Sequence, residues 1–259
     1  MRVENLIKNK DAAANSSLSL FTFHFFVVPL QTKMTKKQLK AALFDLDGVV
    51  FDTEPQYTVF WGSQCRLYHP EQPGLEHVIK GSTLDQIYGR WWTGELEKER
   101  EVVTARLNAF EAQMNFDYIE GFEQLIADLH AHGVKTAVVT SSNQPKMESV
   151  YRKRPEFKTL FDAILTSEDF AESKPSPDCY LRGAARFGVP PDECIVFEDS
   201  FNGLKSGRAA GMTVVGLATT NTEEAIRPFS DIQIADYTHI NYNTLYKLWQ
   251  DILSATSAK

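Results

Sequence analysis

Four short segments of this 259-residue chain carry residues that a buried strand has no use for. "DLDG" supplies Asp45 and Asp47, "TSSN" supplies Thr140 and Ser141, "SKPSPD" supplies Lys174, and "FEDS" supplies Glu198 and Asp199. Four carboxylates brought to about 4 Å of one another would repel by roughly 4 kcal/mol per pair at an effective dielectric near 20. Such a cluster persists only beside positive charge. A hard divalent cation with oxygen ligands meets that need, and magnesium is the expected one. Lys174 adds a fixed charge on a stiff corner: Pro175 holds it extended, and Ser176 and Pro177 read as N-cap and first turn of the next helix. Thr140, with the amides of Ser141 and Ser142, forms a polar turn entering a helix, which suits a phosphate group. A calcium loop also contains D-x-D-G, but it needs further oxygen ligands where "DLDGVVFDTEP" has apolar residues.

These segments need a scaffold that delivers them to one rim. Short, continuous apolar runs at 41–44, 136–139, 163–165, 194–197 and 213–217 read as parallel strands buried on both faces. Between them, Phe122, Leu125, Ile126 and Leu129 make one helical stripe, and Tyr180, Ala184, Ala185 and Phe187 make another. A further helix over 202–210 stops at Gly211. This alternation predicts an α/β fold, a doubly wound, Rossmann-like parallel sheet whose ligands lie beyond the carboxyl ends of the strands. All four chemical segments follow such ends. The stretch 54–119 breaks the alternation: it holds no strand-like run, and Leu96, Val103, Leu107, Phe110 and Met114 form a helical stripe. The predicted organisation is therefore a core over 34–53 and 120–259, with an all-helical cap domain inserted over 54–119. Trp61, Trp91 and Trp92 are expected in the cap interior, and Asp52 at its hinge or as a helix cap.

Composition narrows the partners. The chain is 43% apolar and 24% charged, with a net charge of −7, as for a globular protein with a full core. An acidic chain without a long basic run argues against nucleic acid and anionic membrane, but not against a small phosphorylated metabolite. Three scattered cysteines and six unpaired histidines offer neither a disulfide framework nor zinc spacing, so reduced thiols and a cytoplasmic location are expected. Near the N-terminus, "LSLFTFHFFVVPL" is short for a membrane span and is interrupted by His24 and Pro29. It lacks a clear signal-peptide cleavage site. Met34 directly precedes the basic lead-in to the first strand, so residues 1–33 read as a disordered or mis-called extension. Oligomeric state is not readable.

The motifs "DLDGV", "VVTSSN", "SKPSPD" and "VFEDSFNG" resemble those of the haloacid dehalogenase superfamily of phosphohydrolases, over residues 38–245. The β-phosphoglucomutase-like branch, with a helical cap after strand one, is the nearest likeness. The resemblance implies Asp45 as nucleophile, forming an aspartyl-phosphate, and Asp47 as general acid and then base. It implies a magnesium site made by Asp45, the backbone carbonyl of Asp47, and Asp199, with Glu198 as an outer carboxylate. It implies Thr140 and Ser141 on the phosphoryl group and Lys174 steadying its charge. Asp47 favours a phosphatase or a phosphomutase over dehalogenases, phosphonate-cleaving members and transport ATPases, which lack a second aspartate there. The mutase's cap arginine for the far phosphate is here Leu84, and its histidine near the general acid is here Tyr57. Those departures favour hydrolysis of a small monoester, with a sugar phosphomutase and an inorganic pyrophosphatase as the alternatives. Tyr57, Trp61, Leu84, Arg90 and Trp91 are the expected cap contacts to substrate.

Overall fold

In the computed structural model, residues 37–257 are described. Residues 1–36, and with them the extension expected over 1–33, lie outside the described residues, as do 258–259. Strand β1 (Ala41–Phe44) shows why the sheet could be read so directly. Ala42 and Phe44 enter one apolar layer, Ala41 and Leu43 enter the other, and all four are fully buried. A strand covered on both faces has no polar side to alternate with.

The remaining strands are β2 (Lys135–Val139), β3 (Ala163–Leu165), β4 (Cys194–Glu198), β5 (Thr213–Leu217) and β6 (Ile232–Ile234). Their order is β3-β2-β1-β4-β5-β6, with every neighbouring pair parallel. Helices Phe122–Ala131, Gln144–Lys153 and Tyr242–Ser257 cover one face, through Phe122, Met147 and Trp249 among others. Helices Asp178–Arg186 and Phe201–Ala209 cover the other, through Tyr180 and Leu204. Five strands lie within one residue of their expected ends. The sixth, β6, was not expected: "IQI" is three residues at the sheet edge, too short to show a period.

The register decides where chemistry falls. Phe44 stands opposite Val138 on one side and Phe197 on the other, where the two phenyl rings stack at 4.5 Å. The tips of β1, β2 and β4 are therefore level. Asp45, Thr140 and Glu198 leave the sheet at one edge, at the point where the strand order reverses about β1.

Between β1 and β2 the chain runs through helices Glu54–Tyr68, Leu75–Val78, Leu84–Trp91 and Arg100–Glu111, with no strand over 54–119 among the described residues. Phe60, Trp61, Trp92, Val103 and Leu107 share an apolar cluster separate from those of the sheet. Trp61 and Trp92 meet edge-on at 5.9 Å within it. The stripe expected from Leu96 to Met114 is divided. Leu96 lies in a 3-10 turn, Val103 and Leu107 serve the insertion, and Met114, past the helix end, joins the layer under β1. Helix Leu84–Trp91 begins with a reciprocal cap between Thr83 and Gln86. Among the described residues no helix is long and apolar enough to cross a membrane.

All three cysteines are free and buried. Burial pushes the thiols of Cys65 and Cys194 up to about 11 and about 12, and Cys179 upward as well. The folded protein should therefore react with a thiol-exchange reagent at pH 8 at least about a hundredfold more slowly than free cysteine, with all three thiols appearing in denaturant. Rapid reaction of any one in the native state would contradict this packing.

Candidate active site

A buried lysine organises the strand tips. Lys174 is 1% exposed. Its ammonium donates to Asp45 Oδ1 at 2.6 Å, to Glu198 Oε1 at 2.6 Å and to the carbonyl of Val139 at 3.1 Å. Burial works against this charge, but the carboxylates of Asp45 and Glu198 outweigh it and hold the ammonium above the usual lysine range. The lysine thus ties β1, β2 and β4 together at their carboxyl ends. The Lys174–Pro175 peptide is cis, and the following helix begins at Asp178 with Pro177 as its N-cap, one residue later than the sequence suggested.

Glu198 is saturated by protein donors. Its Oε1 also accepts from the Tyr180 hydroxyl, and its Oε2 accepts from the amides of Asp199 and Ser200 and from Ser200 Oγ. Helix Phe201–Ala209 presses its first turn onto this carboxylate: a Cβ on Gly203 would lie 1.7 Å from Glu198 Oε1. Asp199 is 1% exposed and accepts from the Thr220 hydroxyl through Oδ2. Gly48 has φ +72°, and a Cβ there would lie 2.2 Å from Asp199 Oδ2. Only glycine lets the chain turn beside Asp45 and still admit Asp199.

Carboxylate oxygens of Asp45, Glu198 and Asp199 lie within 4.8 Å of one another. Burial pushes Asp45 up to about 7, with Lys174 pulling the other way and the charges of Glu198 and Asp47 adding to the rise. Burial, then the charges of Glu54, Glu198 and Asp45, push Asp199 well above the carboxylate range. One lysine does not balance this group. The donors are hard oxygens on rigid backbone, so the residues fit a divalent cation. Because both oxygens of Glu198 are occupied, Asp45 and Asp199 are the carboxylates left to face it.

Asp47 is held apart from this cluster. Its carboxylate accepts from the hydroxyl of Thr53 and from Ser142 Oγ at 3.2 Å, and pairs with the ammonium of Lys146. Thr140 is 1% exposed at the tip of β2. Its hydroxyl accepts the Ser142 amide at 3.0 Å, so that amide is spent within the turn rather than turned outward. Ser141 Oγ is buried without a hydrogen-bond partner among the described residues.

One cavity is lined by Asp45, Asp47, Thr140, Ser141, Lys174 and Asp199 from the core, and by Tyr57, Trp61 and Leu84 from the insertion. Arg90 and Trp91 do not line it. Arg90 is exposed, with its guanidinium 4.9 Å from the ring of Trp91. Six residues after Leu84, it projects from another face of the same helix. Asp52 is also exposed, and its amide bonds Asp117 where the chain enters and leaves the insertion. Sequence reading missed Lys146, Thr53, Glu111 and the Lys80–Glu54 pair at 2.8 Å, all at or beside the cavity. Lys146 did leave a signal: a cation in the first turn of a helix opposes the helix dipole.

A family model for haloacid dehalogenase-like hydrolases matches residues 39–211. The chain belongs to that family. The match spans every segment from β1 through the helix after β4. A probable pseudouridine-5'-phosphatase of Drosophila melanogaster is 31% identical over 189 residues, covering 69% of this chain and 81% of that protein. Hexitol phosphatase A of Escherichia coli (strain K12) is 31% identical over 182 residues, covering 69% and 82%. A β-phosphoglucomutase from Clostridium difficile shares the fold, with a TM-score of 0.69 at 19% identity over 84% of this chain and all of that one.

Two helical glycines test the packing around Glu198. Gly203→Ala should lower stability to unfolding by about 2 kcal/mol or more, since the new methyl overlaps a buried carboxylate. Gly89→Ala, where the methyl meets nothing within 4 Å, should raise it by up to about 1 kcal/mol. Chemical denaturation measures both; equal effects would show that Glu198 is not confined as described.

Proposed function

We propose that this protein is a magnesium-dependent phosphatase of small phosphate monoesters that works through an aspartyl-phosphate on Asp45. The observation that carries the reading is the fixation of Asp45: Lys174 holds Oδ1, while Oδ2 is uncommitted among the described residues and Asp45 borders the cavity. A nucleophile clamped by one oxygen presents the other in a set direction. The phosphatase names of the relatives support the same chemistry.

In this reading Asp45 Oδ2 attacks phosphorus, the bond from phosphorus to the leaving oxygen breaks, and Asp47 gives that oxygen a proton. Water then attacks the phosphoryl group on Asp45 while Asp47 takes the proton back, releasing phosphate and restoring Asp45. Thr53, Ser142 and Lys146 position Asp47 for both transfers. Thr140 and Ser141 face the phosphoryl oxygens, and Lys174 opposes their charge. Asp45, Asp199 and the Asp47 carbonyl would hold magnesium, which when bound supplies positive charge to the phosphoryl group during transfer. Glu198 acts from behind, by holding Lys174. The helical insertion serves as the cap that keeps bulk water from the transfer.

A phosphomutase or pyrophosphatase would need a free cation for a second phosphoryl group. Leu84 stands at the mutase arginine's place, and Lys80 beside it is paired with Glu54. A cytoplasmic location is part of the same proposal.

With magnesium and a panel of phosphate monoesters, Asp45→Asn should cut phosphate release by about a thousandfold or more and abolish the acid-stable phosphoprotein trapped by rapid quench. Chelation should silence the wild type, and magnesium should restore it. Undiminished release by Asp45→Asn would overturn the mechanism.

A further inference from the structure

The cavity holds more charge than the reaction uses. Besides Asp45, Asp47 and Asp199 it is lined by Glu54, Glu76 and Glu111, against Lys80, Lys146 and Lys174. Each lysine already faces a carboxylate: Lys174 faces Asp45 and Glu198, Lys146 faces Asp47, and Lys80 faces Glu54. Glu111 differs. It is 6% exposed, and among the described residues it has no ion pair; its hydrogen bond is from the Tyr57 hydroxyl to Oε1 at 2.8 Å. Buried acids are ordinarily paired with a cation. Glu111 also ends helix Arg100–Glu111, where the helix dipole opposes a negative charge.

Lys146 mirrors it. Its side chain is buried in the first turn of helix Gln144–Lys153, where the dipole opposes a positive charge. The two meet at Tyr57: the ammonium of Lys146 lies 4.6 Å from the ring centroid, and the hydroxyl of the same ring holds Glu111. Lys146 is paired with Asp47 and also attracts Glu111 across the ring, but neither helix end favours its charge, and Glu111 has no bonded cation among the described residues. A ligand that bridges the two supplies Glu111 with the partner it lacks.

We propose that Lys146, Tyr57 and Glu111 form a subsite for the leaving group, built for a neutral, hydroxyl-bearing alcohol such as the polyol of a polyol monophosphate. The proposal rests on the phosphatase reading above. A hydroxyl can accept from the Lys146 ammonium and donate to the open oxygen of Glu111. An ammonium there would face Lys146, and a carboxylate or second phosphate would face Glu54, Glu76 and Glu111. Hydrogen bonds to charged groups in such a place discriminate strongly against analogues that lack the hydroxyl.

The test crosses one side chain with the substrate's hydroxyls. kcat/KM is measured for wild type and Glu111→Gln, in excess magnesium, with a six-carbon polyol monophosphate and with n-hexyl phosphate. Wild type should prefer the polyol ester by about tenfold to a hundredfold, and Glu111→Gln should lose most of that preference. Tyr57→Phe, which frees Glu111 from its tether, should lose a smaller part and serves if the first variant folds poorly. An equal loss on both esters, or a wild-type preference for n-hexyl phosphate or for the anionic 2-phosphoglycolate, would overturn the subsite while leaving the phosphatase standing. Wild type inert toward all of these and toward p-nitrophenyl phosphate would overturn the phosphatase reading and the subsite together.

Discussion

A single desolvated ammonium group sets the conditions for everything around it. Lys174 has three protons to donate and three acceptors in place, from the ends of three neighbouring strands. Removing one partner from a buried ionic group typically costs about 3–5 kcal/mol, so the level register of β1, β2 and β4 is an electrostatic requirement as much as a topological outcome. The same lysine leaves a deficit. It faces two carboxylates, and beside them the Asp199 carboxylate accepts, among the described residues, from the Thr220 hydroxyl alone. The site is thus stable enough to form yet short of positive charge, and a cation and a phosphoryl group are complementary to that imbalance.

What was legible followed from burial. Strands covered on both faces betray themselves as unbroken apolar runs, and an acid at the tip of such a run stands out. Asp45, Asp47, Glu198 and Asp199 were visible for that reason, and Lys174 because two prolines follow it closely. The edge strand β6 had too few residues to carry a pattern. Glu111 was hidden differently, and Lys146 left only its mismatch with the helix dipole: in "SSNQPKMES" and "NAFEAQM" each otherwise reads as one more solvated charge on a helix. Their meaning depends on Tyr57, distant in sequence from Lys146 and from Glu111, which sequence spacing cannot supply. Arg90, expected at the cap rim, is exposed and does not line the cavity, because six residues after Leu84 the helical turn carries it to another face.

In the proposed function the reaction belongs to the core, and the choice of leaving group to core and insertion together. In that reading the core topology sets the reacting groups: β1, β4 and the loop after β3 carry Asp45, Asp199 and Lys174. Selectivity draws on side chains from both. Lys146 belongs to a helix of the core, whereas Tyr57 and Glu111 belong to helices packed on their own apolar cluster. Two contacts fix the insertion against the strand tips. A Cβ on Gly81 would lie 2.4 Å from Ser200 Oγ, and Gln86 donates to the backbone carbonyl of Lys174 at 3.0 Å. The insertion therefore touches the residue that holds Asp45 Oδ1 and the segment that satisfies Glu198. In the proposed reading a leaving group held by Lys146 and Glu111 would engage core and insertion at once, on the same cavity wall that Gly81 and Lys174 help to line.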